Sequence, residues 1–300
     1  MPRSATYSAI LLLIIGNLAA SLSDGAVKLL DGEVTTFQYV FLRQLISTLV
    51  ILPFWLAQAP DVRRLRSPKL NLFRAHLIII GSGCMVVAIT HLTLATANAV
   101  FYAAPLLMLP LAVLLLNEKT SLSRWLASMF GFAGVLVVLR PSEFHWAALF
   151  ALGTTFTLAL FHLTARKLPS EQSVITTLFW TSLLSIPVSA LLAWIAWTPI
   201  SLNHLLLILG SASLILLYNG LAVIAYRRAP AGNIAIAENS GLIFVVLLGV
   251  IGFNEVPDGL TALGIVMIVI PLMPWQRYTQ PLRHLLRPKP PSERRKNITD

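Results

Sequence analysis

The sequence predicts an all-α polytopic membrane protein, with ten transmembrane helices forming two inverted five-helix repeats. Three observations carry this reading. Of 300 residues, 57% are hydrophobic and only 11% charged, whereas a soluble domain carries about 25% charged residues. The apolar residues arrive in blocks of roughly 18–25, the length that crosses a hydrocarbon core about 30 Å thick. Finally, Asn117-Glu118 recurs 137 residues later as Asn254-Glu255, each pair lying between an apolar helix and a second one.

The ten blocks run 7–30, 36–57, 75–95, 98–116, 122–139, 146–165, 173–196, 203–225, 233–252 and 259–275. Residues 1–23 have the outline of a secretory signal, but the run continues to Leu30, so block 7–30 is read as the first span. Its polar residues Asn17, Ser21, Asp24 and Lys28 are spaced by four, three and four, which places them on one helical face. Asp24 and Arg43, the latter in block 36–57, each lie about 10 Å below the outer interface. Two readings stand for Asp24, Lys28 and Arg43: a structural ion pair, or an outer gate with Arg43 binding an anion. Near the outer end of block 75–95, His91 reads as interfacial, and the single Cys84 as a small apolar filler.

Block 98–116 carries Asn98, Tyr102 and Pro105 on one face. Pro105 and Pro110 remove backbone donors, which either kinks a packing helix or leaves carbonyls free for cargo. Gly131, Gly134, Gly259 and Gly264 are expected at close helix contacts. His162, near the inner end of block 146–165, is placed with the gate residues. Trp180, Tyr218 and Tyr226 join Tyr102 as aromatics for the passage, while Trp55, Trp146, Trp194, Trp197 and Trp275 form an interfacial belt. Glu238 and Asn239 enter block 233–252 from the inner side, Glu238 about 8 Å deep. It either reaches back to water or to Arg227 and Arg228, or it binds a cationic part of the cargo or a coupling proton.

The net charge of +10 reports topology. With a cytoplasmic N-terminus, 19 of the 22 basic residues fall inside: Arg3, the cluster Arg63 to Arg74, the later inner loops and the tail. Nucleic acid is therefore not an expected partner. The tail, 276–300, is basic, Pro-rich and expected to be disordered. There is no G-x-x-x-x-G-K-[ST] loop, H-E-x-x-H, G-x-S-x-G or Cys/His cluster. Neither ATP drive, a catalytic role, a metal nor a cofactor is expected.

Under the same 137-residue offset Arg43 falls opposite Trp180 and Gly16 opposite Gly153. The expected units are 7–139 and 146–275. Each has five spans, an odd number, so the second enters the membrane from the opposite side, as in secondary transporters. The paired stretches "YAAPLLMLPLAVLLLNE" and "ENSGLIFVVLLGVIGFNE" make the chain similar to the EamA type of the drug/metabolite transporter superfamily. One departure is Ser240-Gly241-Leu242, where such proteins often have Pro. The resemblance implies an inner-membrane carrier of amino acids or their derivatives (opine-like metallophores among them), S-adenosylmethionine, sugars or drugs. Charges of both signs along the path favour a small polar or zwitterionic cargo. Export of an amino acid or derivative is the expectation; uptake, for example of S-adenosylmethionine, is the rival, and a passive channel or a scaffold is the remaining alternative.

Overall fold

The computed structural model describes residues 3–117, 120–140, 145–165, 167–169, 171–228, 237 and 239–273. Among them are eleven helices and no strand: α1 (Arg3–Lys28), α2 (Thr36–Leu56), α3 (Pro68–His91), α4 (Leu94–Phe101), α5 (Ala104–Leu116), α6 (Leu122–Leu139), α7 (Ala147–Ala165), α8 (Val174–Ile195), α9 (Leu202–Arg228), α10 (Ser240–Phe253) and α11 (Gly259–Leu272). Eight stretches are long and apolar enough to cross a membrane, with α4 and α5 together forming one of them; α10 and α11 are shorter apolar helices. Glu238, the carboxylate singled out in the sequence, lies outside the described residues, as do Glu118 and the 276–300 tail.

Short polar side chains open several helices by accepting amide N–H groups that a first turn leaves unpaired. Thr35 and Gln38 form a capping box on α2. Thr93 caps α4, Ser173 caps α8 and Asp258 caps α11. The Asn of each Asn-Glu pair ends a helix. Asn117 closes α5 at φ 52° and Asn254 closes α10 at φ 55°, a left-handed conformation that Asn tolerates better than most residues. Their amides reach back to the carbonyls of Ala112 and Gly249.

Three expectations are corrected. The third helix starts at Pro68, seven residues before block 75–95, because proline suits a first turn. Arg74 therefore belongs to the helix and not to the loop cluster. It is buried, its guanidinium lies 3.8 Å over the Phe161 ring, and it donates to Thr164 Oγ1 at 3.1 Å. Secondly, Pro105 lies in the first turn of α5, after a turn at Tyr102 and Ala103 that interrupts the helix. The Leu106 carbonyl, which Pro110 cannot serve, is taken by Ser128 Oγ of α6 at 2.8 Å rather than left for cargo. Thirdly, Gly259 faces open space. Gly134 and Gly264 do mark a close crossing: a Cβ on Gly134 would meet the Gly264 carbonyl oxygen at 2.8 Å.

Helices far apart in sequence pair along their lengths. α1 lies along α9 and against α10, α3 along α7, α2 along α8, and α6 along α11. Gly16 of α1 packs on Leu221 of α9, and Gly153 of α7 packs on Cys84 of α3. The effect is to surround the polar face of α1 with other helices.

Candidate functional site

All four polar residues on that face of α1 meet protein. Asn17, almost fully buried, donates to the Ala237 carbonyl at 2.8 Å and to Ser240 Oγ at 3.1 Å. Ser21 Oγ donates to the Gly241 carbonyl at 3.3 Å. The entry of α10 is thus held by α1 through its backbone. Tyr102 also meets this entry, with its hydroxyl in the space that a side chain on Gly241 would occupy. That contact accounts for glycine at the position where the sequence departs from the expected proline. Asn239 is the residue preceding α10, and Tyr218 lies against Gly16, so both border the same region.

One turn along α1, Asp24 is half-buried and closest to Asn98 of α4 and Arg43 of α2. Arg43 is near enough for its charge to act on the carboxylate, yet the two form no ion pair. Its guanidinium instead donates to Ser82 Oγ of α3 at 3.0 Å and lies beside Tyr39. Asn98 is 4% exposed, and its Nδ2 lies beside the Asp24 carboxylate without completing a well-formed hydrogen bond to any described group. Tyr39, fully buried, shares a 2.8 Å hydrogen bond with Ser211 of α9, which is also 2.8 Å from Ser23. Five spans therefore contribute to one polar layer: α1, α2, α3, α4 and α9. Neither the Asp24–Arg43 nor the Asp24–Lys28 pair that the sequence allows forms here, because each cation has a nearer acceptor.

Lys28, one further turn along α1, forms an ion pair with Glu255 and donates to the Leu92 carbonyl at 2.6 Å. The other oxygen of Glu255 accepts the Leu94 amide at 2.7 Å, at the first turn of α4. A carboxylate there meets both an unpaired N–H and the positive end of the helix dipole. One carboxylate thus links the α10–α11 turn to α1 and to the α3–α4 junction. Arg140 pairs with Asp258 at this same end, and His204 Nε2 lies 3.1 Å from Glu33. A cleft of about 300 Å³ opens beside them, lined in part by Thr93, Arg140, His145 and Asp258.

At the opposite end, Trp55 stacks on Phe179 at 4.2 Å, and the indole N–H groups of Trp55 and Trp180 both reach the Arg63 carbonyl. Trp180 is thereby a tie between α8 and the α2–α3 loop, away from the Asp24 layer. Arg66 and Glu171 pair at 3.3 Å on the surface. His162 is exposed on α7 and forms no ion pair with a described residue. Sequence reasoning passed over Glu255, Tyr39, Ser82 and Ser211. Only Glu255 had a signal, its place in the recurring Asn-Glu pair; the others are neutral residues that nothing local distinguishes.

Comparison with known proteins agrees with this architecture. The model of the EamA-like transporter family matches residues 7–140 and again 145–273. The S-adenosylmethionine uptake transporter of Rickettsia prowazekii (strain Madrid E) is 28% identical over 260 residues, which cover 85% of this chain and 88% of the relative. A riboflavin transporter of Vibrio cholerae is 30% identical over 232 residues, 75% and 77% of the two chains. The pseudopaline exporter of Pseudomonas aeruginosa is 24% identical over 274 residues, 88% and 94%. A crystal structure with 19% identity superposes with a TM-score of 0.56, covering 91% of this chain and 97% of that one, a likeness of fold alone. A bundle of apolar helices enclosing charged side chains, matched twice over nearly its whole length by one family, is a membrane transporter and not an enzyme: the chain belongs to the EamA-like transporter family.

Proposed function

We propose that the chain is an ATP-independent carrier of the bacterial-type inner membrane, working by alternating access between two inverted five-helix repeats, 7–139 and 146–275. The repeat reading is supported by matching packing and helix-cap contacts under the 137-residue offset. Gly16 on Leu221 corresponds to Gly153 on Cys84, and the Asn117 cap on Ala112 corresponds to the Asn254 cap on Gly249. The helix pairing follows the same rule, α1 with α9 answering α7 with α3. The positive-inside distribution supports an orientation with both termini in the cytoplasm and the Lys28 end outside.

The observation that carries the carrier reading is a closure adjacent to a polar layer. Asp24 and Asn98 each sit four residues, about 6 Å, inward of Lys28 and Leu94, the residues that Glu255 joins. Outward access to the layer requires that junction to open. A scaffold has no use for buried charges of both signs, and a channel has no need of a closure that ties three elements.

The cargo is a small zwitterionic metabolite, an amino acid or amino-acid derivative. Export was the expectation from the sequence, and the similarity to a pseudopaline exporter is in keeping with it. Uptake is favoured by the higher identity to S-adenosylmethionine uptake transporters, 28% against 24%. S-adenosylmethionine is therefore the first compound to test. Proteoliposomes preloaded with it should accumulate labelled S-adenosylmethionine against its gradient by counterflow, saturably and without ATP. If neither it nor any common amino acid shows counterflow, the carrier reading falls. Mass spectrometry of medium and cytosol from deletion and wild-type strains then assigns direction: cargo trapped inside the deletion strain means export, cargo left outside means uptake.

A further inference from the structure

We infer that Asp24, Arg43 and Asn98 form a head-group site that reads the α-ammonium and α-carboxylate of an amino-acid-derived cargo; this rests on the carrier reading above. Two features point to an occupant. Asp24 and Arg43 have opposite charges and lie near each other inside the bundle, yet they do not close into an ion pair. Two opposite charges in a poorly solvated region collapse together unless something holds them apart or belongs between them. Here Ser82 and Tyr39 hold the guanidinium back from the carboxylate. Asn98 Nδ2 is a deeply buried donor that lacks a proper acceptor. Buried donors are almost always satisfied in folded proteins, and the neighbouring Asp24 carboxylate serves Asn98 Nδ2 only partly, so this donor can take a further acceptor.

An α-amino acid supplies the missing groups in one small unit. Its ammonium is a donor for Asp24, and its carboxylate is an acceptor for the Arg43 fork and for Asn98 Nδ2. The remaining side chains of the layer are already committed. Tyr39, Ser211 and Ser23 bond to one another, and Lys28 is held by Glu255 and Leu92. They fix the shape of the site without competing for the ligand.

The test is binding by the full chain in lipid nanodiscs. The probes are S-adenosylmethionine and the twenty common L-amino acids, each binder being compared with its decarboxylated amine and its N-acetyl derivative. Wild type should prefer the complete head group by about thirtyfold or more over either derivative. Arg43→Gln should lose only the preference against the amine, and Asp24→Asn only the preference against the N-acetyl compound. Asn98→Leu should weaken binding of the complete head group. Arg43→Lys, which keeps the charge but not the fork, should retain part of the preference and serves if Arg43→Gln does not fold. The inference is overturned if no probe binds wild type, or if wild type or both charge variants discriminate identically among the derivatives. Binding without counterflow would sink the carrier reading and leave the site; counterflow of a compound with no amino-acid head group would do the reverse.

Discussion

Glu255 makes two contacts with different requirements, which sets it apart from an ordinary surface carboxylate. Its pairing with Lys28 needs only opposite charge, whereas its bond to the Leu94 amide needs an acceptor at the start of α4. Reversing both charges, Lys28→Glu with Glu255→Lys, would place an ammonium at the positive end of the helix. The double variant is therefore expected to recover less than half of the transport that either single reversal removes, as measured by counterflow at equal membrane abundance. Full recovery would mean that the Leu94 contact contributes nothing. Gly241 offers a second test of a residue. Gly241→Ala meets the Tyr102 hydroxyl and should lower both thermal stability and transport. Adding Tyr102→Phe removes that oxygen, and the double variant should melt at a higher temperature than Gly241→Ala alone. If it does not, the crowding at Gly241 comes from elsewhere.

In α5 a proline interrupts the helix where a neighbouring helix supplies what is lost. Pro110 deprives the Leu106 carbonyl of its usual donor, and Ser128 supplies one from α6. In hydrocarbon no water takes over, so Ser128→Ala should cost about 1–2 kcal/mol in thermal or denaturant unfolding. Pro110→Ala in the same chain restores an amide at position 110, and the loss should then largely disappear. An undiminished loss in the double variant would show that Ser128 acts by packing. The α6–α11 crossing is governed by volume. Gly264→Leu would push against Val138 and the Gly134 carbonyl and should cost about 1–3 kcal/mol or prevent assembly. The same change at Gly259, where no neighbour lies within 4 Å, should be near neutral.

Considered whole, the chain joins its first and second halves by pairing helices that are 130 or more residues apart, such as α2 with α8 and α6 with α11. Such a bundle moves as two bodies only if opposite ends open in turn, so orientation is part of the mechanism. In a Cys84→Ser background, Ser201→Cys, at the Lys28 end, should react with a membrane-impermeant maleimide in intact cells. Asp61→Cys, in the α2–α3 loop, should react only after the membrane is opened. The opposite pattern would invert the proposed topology and place the Glu255 junction on the cytoplasmic face.

Much of this was readable from the sequence because membrane insertion acts locally. A run of apolar residues, a capping Thr or Asp, a proline in a first turn and an Asn at a helix end each act through their own transfer energy or their own backbone angles. The eight long apolar stretches, the two shorter apolar helices and the stripe Asn17, Ser21, Asp24 and Lys28 follow from such terms. Which partners the stripe would meet did not, since Lys28 and Glu255 are 227 positions apart and their meeting depends on how α1 sits against the α10–α11 turn. Local chemistry alone marks which stretches are apolar enough to cross a membrane and which face of α1 is polar enough to turn into the bundle. The tertiary structure alone decided that Lys28 closes on Glu255, that Ser128 serves Leu106, and that Asp24 and Arg43 stand near each other without pairing, because a buried polar group takes whichever partner packing brings within reach.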